Sequence, residues 1–343
     1  MAEFQLDTSR EIGDFMSPYV VAELNTSHFG NIETAKEMIR AAKKAGCDCV
    51  KFQSWNEESL YSETYYIENP MARRFVRRFS FSSNELRELS DYCREVKIDF
   101  ASTPYSKDEV DFLVDECQVP FLKVASMDLV NFDLIEHMAR TKVPIVLSTG
   151  MGSIDEIDKA IDAITRNGNI RICILHCVSL YPTPVSEMNL RNIIGLRERF
   201  SSFPIGFSDH SEGSVLAIAA TTLGVALIEK HFTLDKSKIG MDNQMAMESD
   251  ELTEMIQGCN EVFSSLGSIT RTVSESELSQ RNVMRRSIVS TREVEVGEIL
   301  NRSDIAFKRP GNGIQINEID RVIGKKVVQR IENDTVIRPT DIV

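Results

Sequence analysis

An excess of basic residues is what this sequence most plainly lacks. It carries 39 Lys and Arg against 52 Asp and Glu in 343 residues, a formal net charge of -13. A nucleic-acid surface needs a clustered basic face, so no nucleic-acid partner is expected. Any anionic ligand must be drawn in by a local group of cations, because the field of the whole chain repels it. No CxxC pair is present, and the seven cysteines are an odd number. Cys47, Cys49, Cys173 and Cys177 lie in apolar runs and read as buried, reduced thiols. The longest uncharged apolar run, 214–228, is shorter than the ~20 residues a membrane helix needs and contains Gly and Thr. Residues 1–10 mix acids and polar groups without the basic-then-apolar pattern of a leader peptide. These absences predict a soluble, cytoplasmic protein with no membrane partner. Neither GxGxxG nor GxxxxGK[ST] follows the first apolar run, which argues against a doubly wound nucleotide-binding sheet.

What is present is a rhythm. Short apolar, β-branched runs at 19–25, 47–54, 99–103, 121–126, 145–149, 171–177, 205–210 and 226–233 alternate with segments of helical periodicity. Asn31 and Gly46 bracket one such helix, and Ser82-x-x-Glu85 and Ser153-x-x-Glu156 are capping boxes that open two more. Eight strand-then-helix units imply parallel strands and close naturally into a (β/α)8 TIM barrel. The barrel is expected over 1–267, a polar linker over 268–284, and a small β-rich domain over 285–343. Residues 55–81 interrupt the rhythm with an insertion carrying Arg73, Arg74, Arg77 and Arg78, read as a solvated or subunit-contact face.

Function in such barrels gathers at the C-terminal strand ends. Here those ends carry, in chain order, Glu23 and Asn25; Lys51 and Gln53; Ser102 and Thr103; Lys123 and Ser126; Ser148 and Thr149; His176, Ser179 and Tyr181; Ser208, Asp209 and His210; Glu229, Lys230 and His231. Lys51 and Lys123 sit between apolar neighbours, and a strand buried on both faces has no place for an ammonium unless an anion neutralises it. With Ser126, Ser148 and Ser208 they read as a cradle for phosphate and carboxylate. His210 and His231 end adjacent strands, where neutral imidazoles can share a divalent cation and leave open positions for water and substrate. His28 and His176 are expected to position other groups, and His137 to lie on a helix surface.

These residues, in this order, resemble the sialic acid synthase family: N-acetylneuraminate synthases and their legionaminic and pseudaminic acid relatives. The resemblance rests on Ala22-Glu23-Leu24 with His28-x-Gly30, Lys51-Phe52-Gln53, Ser102-Thr103-Pro104, Lys123-Val124-Ala125-Ser126, Leu147-Ser148-Thr149-Gly150-Met151, Leu175-His176-Cys177 with Tyr181-Pro182, Gly206-Phe207-Ser208-Asp209-His210, Glu229-Lys230-His231-Phe232 and Lys308-Arg309-Pro310. It implies a barrel followed by an antifreeze-like (SAF) domain. It also implies condensation of phosphoenolpyruvate with an open-chain N-acetylated amino sugar, with C–C bond formation, C–O cleavage and release of phosphate. Carried onto this chain, it assigns phosphoenolpyruvate to Lys51, Thr103, Lys123, Ser126, Ser148 and Ser208, and Mn2+, with Mg2+ or Co2+ as substitutes, to His210 and His231. The sugar falls to Glu23, Gln53, Ser179, Tyr181 and Asp242, with Arg309 arriving from the other subunit of a domain-swapped homodimer. Asp128 is implied as a proton-transfer group beside the catalytic Glu23, Lys51, Lys123, His210 and His231.

The departures from the family motifs fall on the sugar side. The glycine of the first motif is replaced by Asn25, the usual Ser-Gly-Glu by Ser126-Met127-Asp128, and the usual Gly-Pro-Asp-His by Gly240-Met241-Asp242-Asn243. The sugar is therefore left open between N-acetylmannosamine and a 6-deoxy diacetamido hexose.

Overall fold

A computed structural model describes all 343 residues, which divide into two compact units, Met1–Leu266 and Gly267–Val343. The first opens with an antiparallel hairpin, β1 (Glu3–Gln5) and β2 (Glu11–Gly13). Eight parallel strands follow: β3 (Tyr19–Glu23), β4 (Cys49–Gln53), β5 (Asp99–Thr103), β6 (Leu122–Val124), β7 (Ile145–Ser148), β8 (Ile172–Cys177), β9 (Ile205–Asp209) and β10 (Leu227–His231). They pair in the order β5-β4-β3-β10-β9-β8-β7-β6, and β5 packs beside β6, so the sheet is a nearly closed barrel. All eight expected runs form strands.

Each strand is followed by helix: α1 (Ile32–Ala45) after β3, α6 (Lys107–Asp115) after β5, α7 (Phe132–Arg140) after β6, α8 (Ile154–Thr165) after β7, α9 (Asn192–Arg199) after β8, α10 (Val215–Thr222) after β9 and α11 (Ser249–Leu266) after β10. The connection after β4 holds the insertion, which folds as α2 (Glu57–Leu60), α3 (Glu63–Glu68) and α4 (Pro70–Phe79) before α5 (Ser83–Val96). It has its own small core of Trp55, Tyr66, Val76 and Phe79. Both capping boxes form, at Ser82 and at Ser153, and Asn31 Oδ1 accepts from Thr34 N at 2.9 Å. Gly30, at φ 69°, lies so close to the carbonyl of Arg78 that a Cβ there would meet it, which ties the turn after β3 to the end of α4.

Side chains alternate along a strand, so residues i and i+2 share a face. Tyr19, Val21, Cys49, Ala101, Phe121, Val146, Cys173, Leu175 and Leu227 fill the lower barrel interior with Leu6 and Ile12 of the hairpin. Two residues further along the same faces come Glu23, Lys51, Thr103, Lys123, Ser148, Cys177, Glu229 and His231. The polar layer is thus the upper storey of a barrel whose lower storey is apolar and packed.

The second unit contains α12 (Glu275–Met284), an antiparallel pair β11 (Ser287–Ser290) and β12 (Ile305–Lys308), and a core built on Ile288, Val294, Leu300, Ile305, Ile314, Val322, Val327, Ile331 and Ile337. The segment read as a linker is therefore not extended throughout: Ser274 Oγ accepts from Glu277 N at 3.1 Å, and this cap starts α12 inside it. No helix is long and apolar enough to cross a membrane.

Candidate active site

The upper storey encloses a cavity of about 370 Å3, within the size range of small-molecule sites. Glu23, Gln53, Lys51, Thr103, Lys123, Ser126, Ser148, Ser179, Tyr181, Ser208, His210, His231 and Asp242 all line it. A mostly apolar cavity of about 540 Å3 shares Trp55, Leu60, Tyr61 and Met241 with it; its remaining lining, including Met71 and Phe75, carries only Arg74 and Arg78 as charged groups and no acid, base or nucleophile pair.

Lys51 and Lys123 are 2% and 3% exposed, so burial alone would drive both ammonium groups toward neutrality. Their partners oppose this. Lys51 is ion-paired to Glu23, donates to Thr103 Oγ1 at 3.0 Å and lies 3.8 Å from Glu229 Oε2. Lys123 donates to Ser148 Oγ at 2.6 Å and lies 3.9 Å from Glu229 Oε1. Burial works to lower the Lys51 pKa, but Glu229 and Glu23 hold it above the usual lysine value. Lys123 has weaker support, and burial leaves it below that value. Burial would raise the pKa of Glu229, but Lys123, Lys51 and a 2.9 Å hydrogen bond from Ser208 Oγ draw it down to about 2. Burial raises Glu23, with Lys51 opposing it. One carboxylate between two ammonium groups is a resting arrangement that an incoming multiply charged anion can compete for, since Thr103, Ser148 and Ser208 supply hydroxyl donors around it.

The cradle continues through the backbone. Gly150 N donates to Ser126 Oγ at 3.1 Å, and a Cβ on Gly150 would stand 2.2 Å from Ser179 Oγ and 2.7 Å from Ser126 Oγ. Only glycine leaves room there for both hydroxyls. On the other side, Tyr105 OH donates to Gln53 Oε1 at 2.7 Å, and Gln53 Nε2 donates to Glu23 Oε1 at 2.8 Å.

His210 and His231 end neighbouring strands with ring centroids 5.4 Å apart, and the Tyr181 ring lies 4.3 Å from that of His210. His210 Nδ1 donates to the Val178 carbonyl at 2.8 Å, so in the neutral ring the lone pair lies on Nε2, as a metal-ligating imidazole requires; burial works to lower its pKa, but Cys177 and that carbonyl hold it above the usual histidine value. Burial, with His210 beside it, holds His231 well below the usual histidine value and therefore neutral, the form that can ligate. No third His, Cys, Asp or Glu gathers with them into a closed metal cluster. The pair fits a divalent ion held at two points by protein, with the rest of its coordination open.

One expected site residue, Asp128, stands apart from the others. Asp128 is not on the cavity wall: the turn at Ser126–Asp128 points its Oδ1 at Asn131 Nδ2, 2.9 Å away, and its buried Oδ2 meets no donor. His28 and His176 are buried outside the cavity. The first stacks on Phe81 at 4.2 Å, and the second contacts the Met188 carbonyl at 2.7 Å. His137 contacts Asp111 on its helix face, as expected of a surface residue. Arg309 is exposed on the second unit, where its Nε donates to the Met284 carbonyl at 2.9 Å. Tyr105, Cys177 and the roles of Glu229 and Asn25 were missed by sequence reasoning. The i, i+2 spacing of Glu229 and His231 was the signal that could have put Glu229 inside.

The protein-family model described as the NeuB family matches residues 38–271, and the SAF domain matches 285–343. The chain is 32% identical to an N,N'-diacetyllegionaminic acid synthase of Legionella pneumophila, over 95% of this chain and 94% of that one. It is 33% identical to the N-acetylneuraminate-9-phosphate synthase of Homo sapiens, over 98% and 95%. Among solved structures, an N-acetylneuraminic acid synthetase from Leptospira borgpetersenii, in complex with citrate, superposes with a TM-score of 0.75 at 30% identity, covering 81% of this chain and 94% of that one.

Proposed function

The chain belongs to the NeuB family of sialic-acid-type synthases, and from that premise we propose that it condenses phosphoenolpyruvate with the aldehyde of an unphosphorylated, open-chain N-acetylated amino sugar. The observation that carries this reading is the pair of buried lysines that share the Glu229 carboxylate, in a cavity that also presents the hydrogen-bonding groups of Gln53, Ser179, Tyr181 and Asp242.

Lys51, Lys123, Thr103, Ser126, Ser148 and Ser208 bind the phosphate and carboxylate of phosphoenolpyruvate. They orient its C3 toward the sugar, so much of the rate comes from orientation and fixed charge. Glu23, Gln53, Tyr181, Ser179 and Asp242 hold the sugar. His210 and His231 would hold a divalent ion, Mn2+ or in its place Mg2+ or Co2+, whose bound chemistry is Lewis-acid polarisation of the aldehyde. C3 bonds to the aldehyde carbon, and the aldehyde oxygen takes a proton. Water then adds at C2 with loss of its proton, and the C2–O bond breaks to release phosphate and leave a 2-keto acid. Glu23, raised by burial and tied to Lys51, is a carboxyl on the cavity wall suited to carry a proton, whereas Asp128 lies off that wall. Arg309 completes the sugar site from a second copy of the chain.

The test is phosphate release with phosphoenolpyruvate and Mn2+ against N-acetylmannosamine, its 6-phosphate and diacetamido 6-deoxy hexoses. Turnover with one unphosphorylated sugar is expected, and Arg309→Ala should raise the KM for that sugar while sparing phosphoenolpyruvate. Turnover only with the phosphorylated sugar, or none at all, contradicts the reading.

A further inference from the structure

Asn25 stands at the head of the turn after β3 with φ 37°. Asparagine tolerates this left-handed region better than most side chains, and glycine takes it freely. The turn sets its backbone N–H on Glu23 Oε1 at 2.9 Å and brings its side chain onto the cavity wall. There the amide Nδ2 donates to Asp242 Oδ2. A carboxylate can only accept, so the orientation of the amide follows from its partner. Asp242 comes from the long segment after β10, and its other close neighbour is His231 Nδ1 at 4.0 Å. The Asn25 amide is thus the one hydrogen bond that fixes this carboxylate. Asp242 Oδ1 and Asn25 Oδ1 meet no protein donor, which leaves two free acceptors on residues that both line the cavity.

We propose that Asn25 is a positioning residue that determines sugar specificity: by clamping Asp242 it presents a paired acceptor that selects a sugar with two neighbouring donors, a hydroxyl beside an acylamino N–H. This rests on the amino-sugar reading above and deepens it. The position is one of the sugar-side departures, so the clamp is a property of this chain rather than of the shared phosphate cradle.

Two variants test it. Asn25→Gly suits the backbone and removes the amide. Asn25→Asp keeps the shape but turns the donor into a second carboxylate facing Asp242. A hydrogen bond to a charged group is strong enough that its loss should raise the sugar KM about tenfold or more in both variants, and further in Asn25→Asp. The KM for phosphoenolpyruvate and kcat at saturating sugar should stay at the wild-type values in Asn25→Gly, and thermal unfolding, although shifted down by the lost hydrogen bond, should show it fully folded at the assay temperature. An unchanged sugar KM in Asn25→Gly, or a loss confined to kcat, overturns the inference while leaving the amino-sugar reading intact. A wild-type protein that turns over no amino sugar overturns both.

Discussion

At the scale of single residues, the molecule sets charge by neighbours rather than by exposure. Lys51 and Lys123 were legible in the sequence because an ammonium between Val50 and Phe52, or between Leu122 and Val124, has no other explanation in a buried strand. Glu229 was not legible as their counter-charge, since that depends on which neighbouring strands meet across the barrel. The placement of Asp128 off the cavity wall was not legible, because a one-turn helix decides where its carboxylate points, and the sequence does not show that turn. His28 provides a test in stability. Burial between Phe81 and Phe52 lowers its pKa from 6.5 to about 3. The unfolded chain binds a proton near pH 6.5 and the folded chain does not, so stability is complete above that pH and falls as the pH drops through the window from 6.5 to 3. His176 and His231 are shifted in the same direction and add to the slope, while His210 is shifted upward and subtracts from it. Urea unfolding between pH 7.5 and 5 should therefore show a declining midpoint, and His28→Phe should make the decline shallower by up to about 1.4 kcal/mol per pH unit. An identical slope in the variant would show that His28 is protonated at no cost in the folded state.

At the scale of elements, the site is an outcome of strand alternation. Inward residues of β9 and β10 and their extensions place Ser208, His210, Glu229 and His231 in the cavity, so the outward Asp209 and Lys230 must be satisfied behind it. Lys230 Nζ donates to Asp209 Oδ2 at 2.7 Å and to the Ser211 carbonyl at 2.6 Å, and Ser211 N and Oγ donate back to Asp209 Oδ1 at 2.9 and 2.7 Å. Lys230 and Asp209 are register partners on the two strands that carry the histidines. Removing one member leaves an uncompensated buried charge, so Lys230→Met should lose about 3–5 kcal/mol of stability in urea unfolding. Replacing both, as Asp209→Leu with Lys230→Met, should recover most of it, and a single variant as stable as wild type would refute the pairing. The strands, caps and capping boxes were readable because each depends on residues close in sequence. The helix α12 was not, because its polar composition looks like linker until the Ser274 cap is recognised.

At the scale of the whole molecule, the barrel architecture followed from counting eight alternating units, and the second unit from the change of pattern after residue 284. The chemistry needed more: two lysines, two histidines and a set of hydroxyls distant in sequence become one cavity only when the barrel closes. With a net charge of -13 over the chain, an anion reaches this cavity by competing with Glu23 and Glu229 for the two lysines rather than through long-range attraction. The central claim is that this cavity joins phosphoenolpyruvate to a sugar aldehyde and releases phosphate by C–O cleavage. The most direct measurement uses phosphoenolpyruvate carrying 18O in its bridging oxygen, with Mn2+ and the preferred amino sugar, and follows the label by mass spectrometry. The account predicts phosphate only when the sugar is present, with the label in the phosphate and a sugar-derived 2-keto acid free of it. Label retained in the organic product, or phosphate released without sugar, would contradict it.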